Sequence, residues 1–322
     1  MDALSEILKA IKLRGSLFFN AELTSPWCLR EPSADEIAPF ISPDGGNLVL
    51  FHMVTEGKLY ARLDAGERRD LTAGEVVVFP HGDHHILGSG KPERPVNSMT
   101  AFAGNLTRGL KLAHYGGGGE VSRLVCGYIV CEKKLSDRFL WGLPKMFTVR
   151  PFDGPGGAWL ESAIRYSVDG GNSEAGSELV ISRLAEVLFV EVVRRYLNSL
   201  PAEQKGWLAG VRDPAIGVSI ALMHMEPAED WTIDRLAKKV CLSRTSFVQR
   251  FQEFLGESPM AYLAKWRLQL GSELLLSADQ SVAEIALSVG YSSEASFNRA
   301  FKREFDIPPA KFRRTQRHSN GL

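Results

Sequence analysis

Cysteine is scarce in this chain: Cys28, Cys126, Cys131 and Cys241 are the four present in 322 residues. They are too few and too scattered for a disulfide scaffold in a chain this long, so reduced thiols are expected. Long apolar runs are missing as well. The richest stretch, LAEVLFVEVV, is broken by Glu186 and Glu191, far short of the roughly 20 apolar residues that a membrane helix needs. The opening MDALSEILKAIKLRG mixes charges with aliphatics at helical spacing and lacks the unbroken apolar core and small-residue cleavage site of a secretory signal. These absences argue against membrane insertion and predict a cytoplasmic protein. Net charge is lacking too, because 38 Lys and Arg offset 38 Asp and Glu, so bulk charge points to no polyanionic partner. From Val211 onward 15 basic residues face 13 acidic ones, a skew too small to decide anything.

What is present is enough apolar material, 44% of residues, for more than one packed core. Between Leu48 and Leu87 the runs LVLFHMV, KLYARL and EVVVFP, separated by EG, DAGE and TAGE, read as hairpin-rich β structure, and SRLVCGYIVC reads as a later strand. The period then changes. In SELVISRLAEVLFVEVVRRYLNSL apolar residues recur every three to four positions, predicting a long amphipathic helix. Pro201 ends it, and Asp213 followed by Pro214 marks a new helix start. The expected organisation is α+β: a β-rich domain over 1–172, the helix over 173–200, a linker over 201–211 and an all-α domain over 212–318.

The most informative feature is an internal repeat. IDRLAKKVCLSRTSFVQRFQEFLGESPMAYL, which starts at Ile233, matches VAEIALSVGYSSEASFNRAFKREFDIPPAKFR, which starts at Val282, with one inserted residue. Leu236-Ala237 aligns with Ile285-Ala286, Ser246-Phe247 with Ser296-Phe297, Phe251 with Phe301, Pro259 with Pro309 and Tyr262 with Phe312. Each copy has a short helix whose small Ala lets a second helix cross closely, then a tight turn, then a Ser cap and a helix with aromatics four apart. These are two helix-turn-helix units, over 233–254 and 282–305. Gly290 suits the second turn, whereas Cys241 stands in the first. The faces left free carry Arg244, Thr245, Val248 and Gln249 in one unit and Glu294, Ser296, Arg299 and Arg303 in the other, side chains able to read base edges in a major groove. Lys302, Arg313 and Arg314 are the expected phosphate contacts. For either helix alone an ordinary polar surface is the better reading, and the repetition reverses that.

Residues 212–316 resemble the DNA-binding domain of the AraC/XylS family of transcription regulators, most closely in IALSVGYSSEASFNRAFKREFDIPPAKFR, with Asp306 where that family mostly has Gly. The resemblance implies double-stranded DNA as partner, the two units bridged by a long helix through MAYLAKWRLQLGSELLLS, RNA polymerase as a further candidate partner, and a homodimer paired through a helix such as 173–200.

The N-terminal domain has its own signature. GEVVVFPHGDHH, from Gly74 to His85, fits the second cupin motif, a strand, turn and return strand that place His85 inside a small barrel. FHMVTEGKLY supplies His52, but the rest of a first cupin motif is absent. His52 and His85 are read either as hydrogen-bonded residues lining a small-molecule effector pocket or a packed core, or as sharing a transition metal with a third ligand such as His81 or a cysteine. Similarity to AraC-type regulators with this cupin variant, some of which sense reactive chlorine, makes Cys28 or Cys126 a redox candidate, with Arg30 and Arg123 as the nearby cations. The expected function is a non-enzymatic DNA-binding regulator that senses a small effector or oxidant, with activation or repression left open. The alternative is a cupin metalloenzyme with a helical DNA-binding appendage, which would need a full metal set.

Overall fold

The computed structural model describes residues 3–11, 13–42, 45–64, 66–91, 94–102, 110, 112–131, 139–169, 175–201 and 205–319. The chain divides into two units, Lys12–Ser199 and a discontinuous one of Met1–Ile11 with Leu200–Leu322.

The first unit is built on strands β1 (Arg14–Thr24), β2 (Trp27–Glu31), β3 (Asn47–Glu56), β4 (Lys58–Leu63), β5 (Arg68–Thr72), β6 (Val76–Phe79), β7 (His85–Ser89), β8 (Val96–Asn97), β9 (Leu112–Gly116), β10 (Val121–Cys131) and β11 (Phe147–Val149). They form a six-stranded sheet in the order β11-β6-β3-β10-β1-β9 and a five-stranded sheet in the order β5-β4-β7-β2-β8. Their facing sides share one core, which includes Trp27, Leu29, Leu50, Phe79, Leu87, Leu124 and Cys126. Alternation along each strand decides which residues enter that core. On β2, Trp27 and Leu29 face inward, while Cys28 turns outward to a separate cluster with Tyr60 and Ile86.

Helices of this unit are α2 (Ala34–Ile41), the short α3 (Ser98–Ala101), α4 (described at 139–141), α5 (Pro155–Asp169) and α6 (Ser177–Ser199). The predicted amphipathic helix is α6. Its Ile181, Leu184, Ala185, Leu188, Phe189, Val192 and Val193 are buried, and it packs on β1, β10 and β11.

The second unit holds α1 (Ala3–Ile11), α7 (Trp207–Arg212), α8 (Pro214–Met225), α9 (Ile233–Lys239), α10 (Arg244–Leu255), α11 (Pro259–Ser277), α12 (Val282–Ser288), α13 (Glu294–Phe305) and α14 (Pro309–Ser319). Two expectations change. The first eleven residues, assigned from sequence to the β-rich domain, belong to this unit, because α1 packs on α8 and α7. The supposed linker 201–211 includes most of α7, with Leu208, Ala209 and Val211 buried. Among the described residues no helix is long and apolar enough to cross a membrane.

Candidate nucleic-acid interface and barrel interior

Both helix-turn-helix units form as the repeat implies. Ser243 caps α10 by accepting from the Ser246 amide, and Ser293 caps α13 by accepting from the Ser296 amide. Phe247, Phe251, Phe297 and Phe301 have no exposed surface, which fixes the inward face of each helix. On a 3.6-residue period the opposite stripe runs through Thr245, Gln249 and Gln252 in α10 and through Ala295, Arg299 and Lys302 in α13. All six are exposed. Both helices pack on α11, whose 19 residues at 1.5 Å each make a spacer of roughly 28 Å.

Among the residues singled out from sequence, Thr245, Gln249, Arg299, Lys302, Arg303 and Arg314 are exposed and Val248 is half-buried. Arg244 is exposed but pairs with Asp234 of α9, and Glu294 takes a bond from Asn298. The Ser296 hydroxyl is spent within the cap, donating to the Ser293 carbonyl at 2.7 Å. Arg313 departs from its expected role. Its guanidinium donates to the carbonyls of Leu275 at 3.0 Å and Gln280 at 2.7 Å, tying α14 to the end of α11 where free carbonyls need donors. Sequence reasoning missed Gln252 and Ala295, although counting away from Phe247 and Phe297 reaches both.

Inside the β unit, register assembles a polar cluster. Residues directly opposite in an antiparallel pair point to the same side. β10 pairs Cys126 with His52, β6 pairs Val77 with His52, and β2 pairs Glu31 with His85. His52 and His85 are buried and meet Nε2 to Nε2 at 2.7 Å, and His52 Nδ1 lies 2.9 Å from Cys126 Sγ. His85 also stacks on Phe79, with ring centroids 3.6 Å apart.

The protons can be placed from the outside inward. His85 Nδ1 faces the Asp83 carbonyl at 2.9 Å, which only accepts, so this nitrogen carries hydrogen and Nε2 accepts. His52 must then donate through Nε2 and accept at Nδ1 from the Cys126 thiol. Every group in this chain is neutral. Burial pushes the His85 pKa down to about 4 and His52 well below its usual range, and pushes the Cys126 thiol well above its own. Beside them Glu31 accepts from the Ser98 hydroxyl at 2.9 Å, and desolvation raises its pKa to about 7. Trp27 is 1% exposed, and its Nε1 hydrogen has no partner among the described residues.

This arrangement suits a metal poorly. The two nitrogens of His52 face different partners, and His81, the candidate third ligand, is exposed and bonded to the Leu143 carbonyl at 3.1 Å. Among the described residues no three His, Cys, Asp or Glu side chains converge as a ligand set. The two redox candidates lie on opposite sides of a sheet: Cys126 is inside, whereas Cys28 is outside and takes a long hydrogen bond of 3.6 Å from Tyr60.

Comparison with known proteins finds one family in each half of the chain. The cupin family matches residues 2–198 and a helix-turn-helix domain family matches residues 236–315. The transcriptional regulator AlkR of Acinetobacter baylyi is 26% identical over 97% of this chain and 99% of its own. The RCS-specific transcriptional activator RclR of Escherichia coli is 28% identical over 97% of both chains, and the regulator MtrA of Neisseria gonorrhoeae 29% over 98% of both. Among solved structures, the DNA-binding domain of AdpA in complex with a target DNA is 28% identical, with a TM-score of 0.32, over 33% of this chain and 96% of that one.

Proposed function

Since this chain belongs to the AraC family of helix-turn-helix transcriptional regulators with an N-terminal cupin domain, we propose that it reads its operator with α10 and α13 and senses a small uncharged effector in the barrel. It is a DNA-binding regulator and not an enzyme. The observation that carries the reading is the pair of exposed stripes standing opposite the buried phenylalanines. Thr245, Gln249 and Arg299 are the base-reading side chains, since Gln forks onto adenine and Arg onto guanine. Lys302, Arg303 and Arg314 hold phosphates. The 28 Å spacer approaches the roughly 34 Å of one helical turn, so one chain addresses two successive major-groove faces.

The effector reading rests on the barrel chemistry. An interior in which His52, His85 and Cys126 are all held neutral disfavours an ionic ligand, and the orphaned Trp27 donor marks a place for a hydrogen-bond acceptor. Direct oxidation of Cys126 is disfavoured by the same burial, since the thiolate is the reactive form. Dimerisation uses the outer side of α6, where Leu179, Val180, Val187 and Val190 are exposed at helical spacing. RNA polymerase is the partner expected of an activating form.

Selection of bound sequences from a random DNA pool tests the reading, followed by salt-titrated binding to selected and scrambled DNA. Specific binding should exceed non-specific by about a thousandfold or more. Arg299→Ala should cost about 1–3 kcal/mol and relax one base position. Equal affinity for all sequences would sink the proposal. A screen of uncharged compounds against wild type and Trp27→Phe tests the effector site, since the variant keeps the ring and removes the donor.

A further inference from the structure

The part of the DNA-binding unit that no DNA-reading role yet explains is the one farthest back in the chain. Helix α8, PAIGVSIALMHM, is apolar almost all round, and a helix of that kind needs cover on more than one side. Helix α1 supplies some of it: Leu4, Ile7, Leu8 and Ile11, spaced three and four apart, are all buried in this unit. The DNA-binding unit is therefore closed by a segment that precedes the sensor in chain order.

At the start of α8 sits Asp213, an acid whose side chain is only 6% exposed. One carboxylate oxygen accepts the Ala215 and Ile216 amides, each at 3.0 Å, and so caps the helix. The other takes both Nε, at 3.1 Å, and a terminal nitrogen of Arg250. Arg250 lies on α10 next to Gln249, so the recognition helix is bolted from behind to the N-terminus of α8. Gly210 of α7 reinforces the junction, since a Cβ there would stand 3.2 Å from that of Phe254 in α10. A two-pronged charged hydrogen bond fixes orientation as well as distance.

We propose that α1, α8 and Asp213 form a brace that sets the angle of the first recognition helix through Arg250. Residues 3–11 then belong to the DNA-reading machinery of this chain, and Asp213 is a positioning residue for readout by α10. Among the described residues no comparable hydrogen bond or ion pair ties α13 to α8, so the brace acts on one half of the operator alone. This inference rests on the reading that α10 and α13 contact bases.

The experiment uses the full chain on its selected operator, with single base changes in each half. Gln249→Ala and Arg299→Ala first assign the halves to α10 and α13. Asp213→Asn is the decisive variant, because Asn caps a helix about as well as Asp and only the charged fork is lost. Discrimination among bases in the α10 half should fall about tenfold, while that in the α13 half stays within about twofold. The double variant Ile7→Ser, Leu8→Ser should show the same one-sided loss. If Asp213→Asn does not fold, Arg250→Gln, at a partly exposed position, is read in the same way. Equal loss in both halves, or no change in a folded variant, overturns the brace. A wild-type chain with no sequence preference would instead overturn the reading beneath it.

Discussion

Cys241 and Gly290 occupy the same place in the two helix-turn-helix units, and both adopt left-handed backbone, with φ of 56° and 90°. The two turns differ in what surrounds them. A Cβ on Gly290 would stand 2.8 Å from the Pro227 carbonyl oxygen and from the Ala228 Cα, and 2.9 Å from the Arg267 guanidinium, whereas Cys241 carries its side chain into solvent. Gly290→Ala should therefore destabilise the DNA-binding unit by about 1–3 kcal/mol. Cys241→Gly relieves a left-handed penalty of about 1 kcal/mol against a similar rise in unfolded-chain entropy, and should leave stability within about 1 kcal/mol of wild type. Urea denaturation of both variants checks the contrast, and equal costs would contradict it.

Acid and base should weaken the barrel for opposite reasons. Burial holds His85 at about 4, below the 6.5 of a free imidazole. The unfolded chain therefore binds the extra proton first, and this group's stability is lost as pH falls from 6.5 towards 4, by up to about 3 kcal/mol. Glu31 runs the other way. Its pKa is raised to about 7, so the native state holds the proton that the unfolded chain releases, and stability is lost as pH rises from 4.5 to 7. Glu31→Gln should raise stability at pH 8 by up to about 3 kcal/mol and change it little at pH 4. His85→Gln should flatten the acid limb. Denaturation across pH 4 to 8 tests both, and a Glu31→Gln gain confined to acid pH would reverse the assignment.

The sequence showed much of this, unevenly. The two helix-turn-helix units were legible because duplication repeats caps, turns and aromatics at fixed offsets. Asp306 looked like a departure but takes the same left-handed C-cap, φ 61°, as Gly256 at 72°, a conformation Asp tolerates. Strands β1 and β2 gave no clean alternation, and the inward turn of Cys126 with His52 follows from register, which a sequence alone does not fix. Helix α1 was readable as a helix, but its spacing says nothing about which core it joins. Arg313 and Arg314 are the same residue type side by side, and only the nearby carbonyls distinguish them.

The outer stripe of α6 predicts an oligomeric state. Leu179, Val180, Val187 and Val190 are 62%, 54%, 45% and 38% exposed, on the side away from β1. Under the dimer proposed above, this apolar stripe is the surface that pairs. Val180→Glu with Val187→Glu should convert a dimer to a monomer without loss of helicity, because neither side chain supports the fold. Sedimentation equilibrium decides the point, and a wild-type monomer at micromolar concentration would rule the interface out.

Arg313 and Arg314 offer the sharpest separation of folding from binding. Arg313 spends its guanidinium on the Leu275 and Gln280 carbonyls, while Arg314 is exposed. Arg313→Ala should leave those carbonyls unpaired at the end of α11 and cost about 1–3 kcal/mol of stability, with the salt dependence of DNA binding unchanged in the folded fraction. Arg314→Ala should leave stability within about 0.5 kcal/mol and weaken all DNA alike, reducing the slope of log K against log salt by about 0.9 for one phosphate lost. Paired thermal melts and salt titrations distinguish the two. If Arg313→Ala lowers the slope as much as Arg314→Ala does, Arg313 leaves its carbonyls when DNA arrives, and its bonds in the free protein are a resting position.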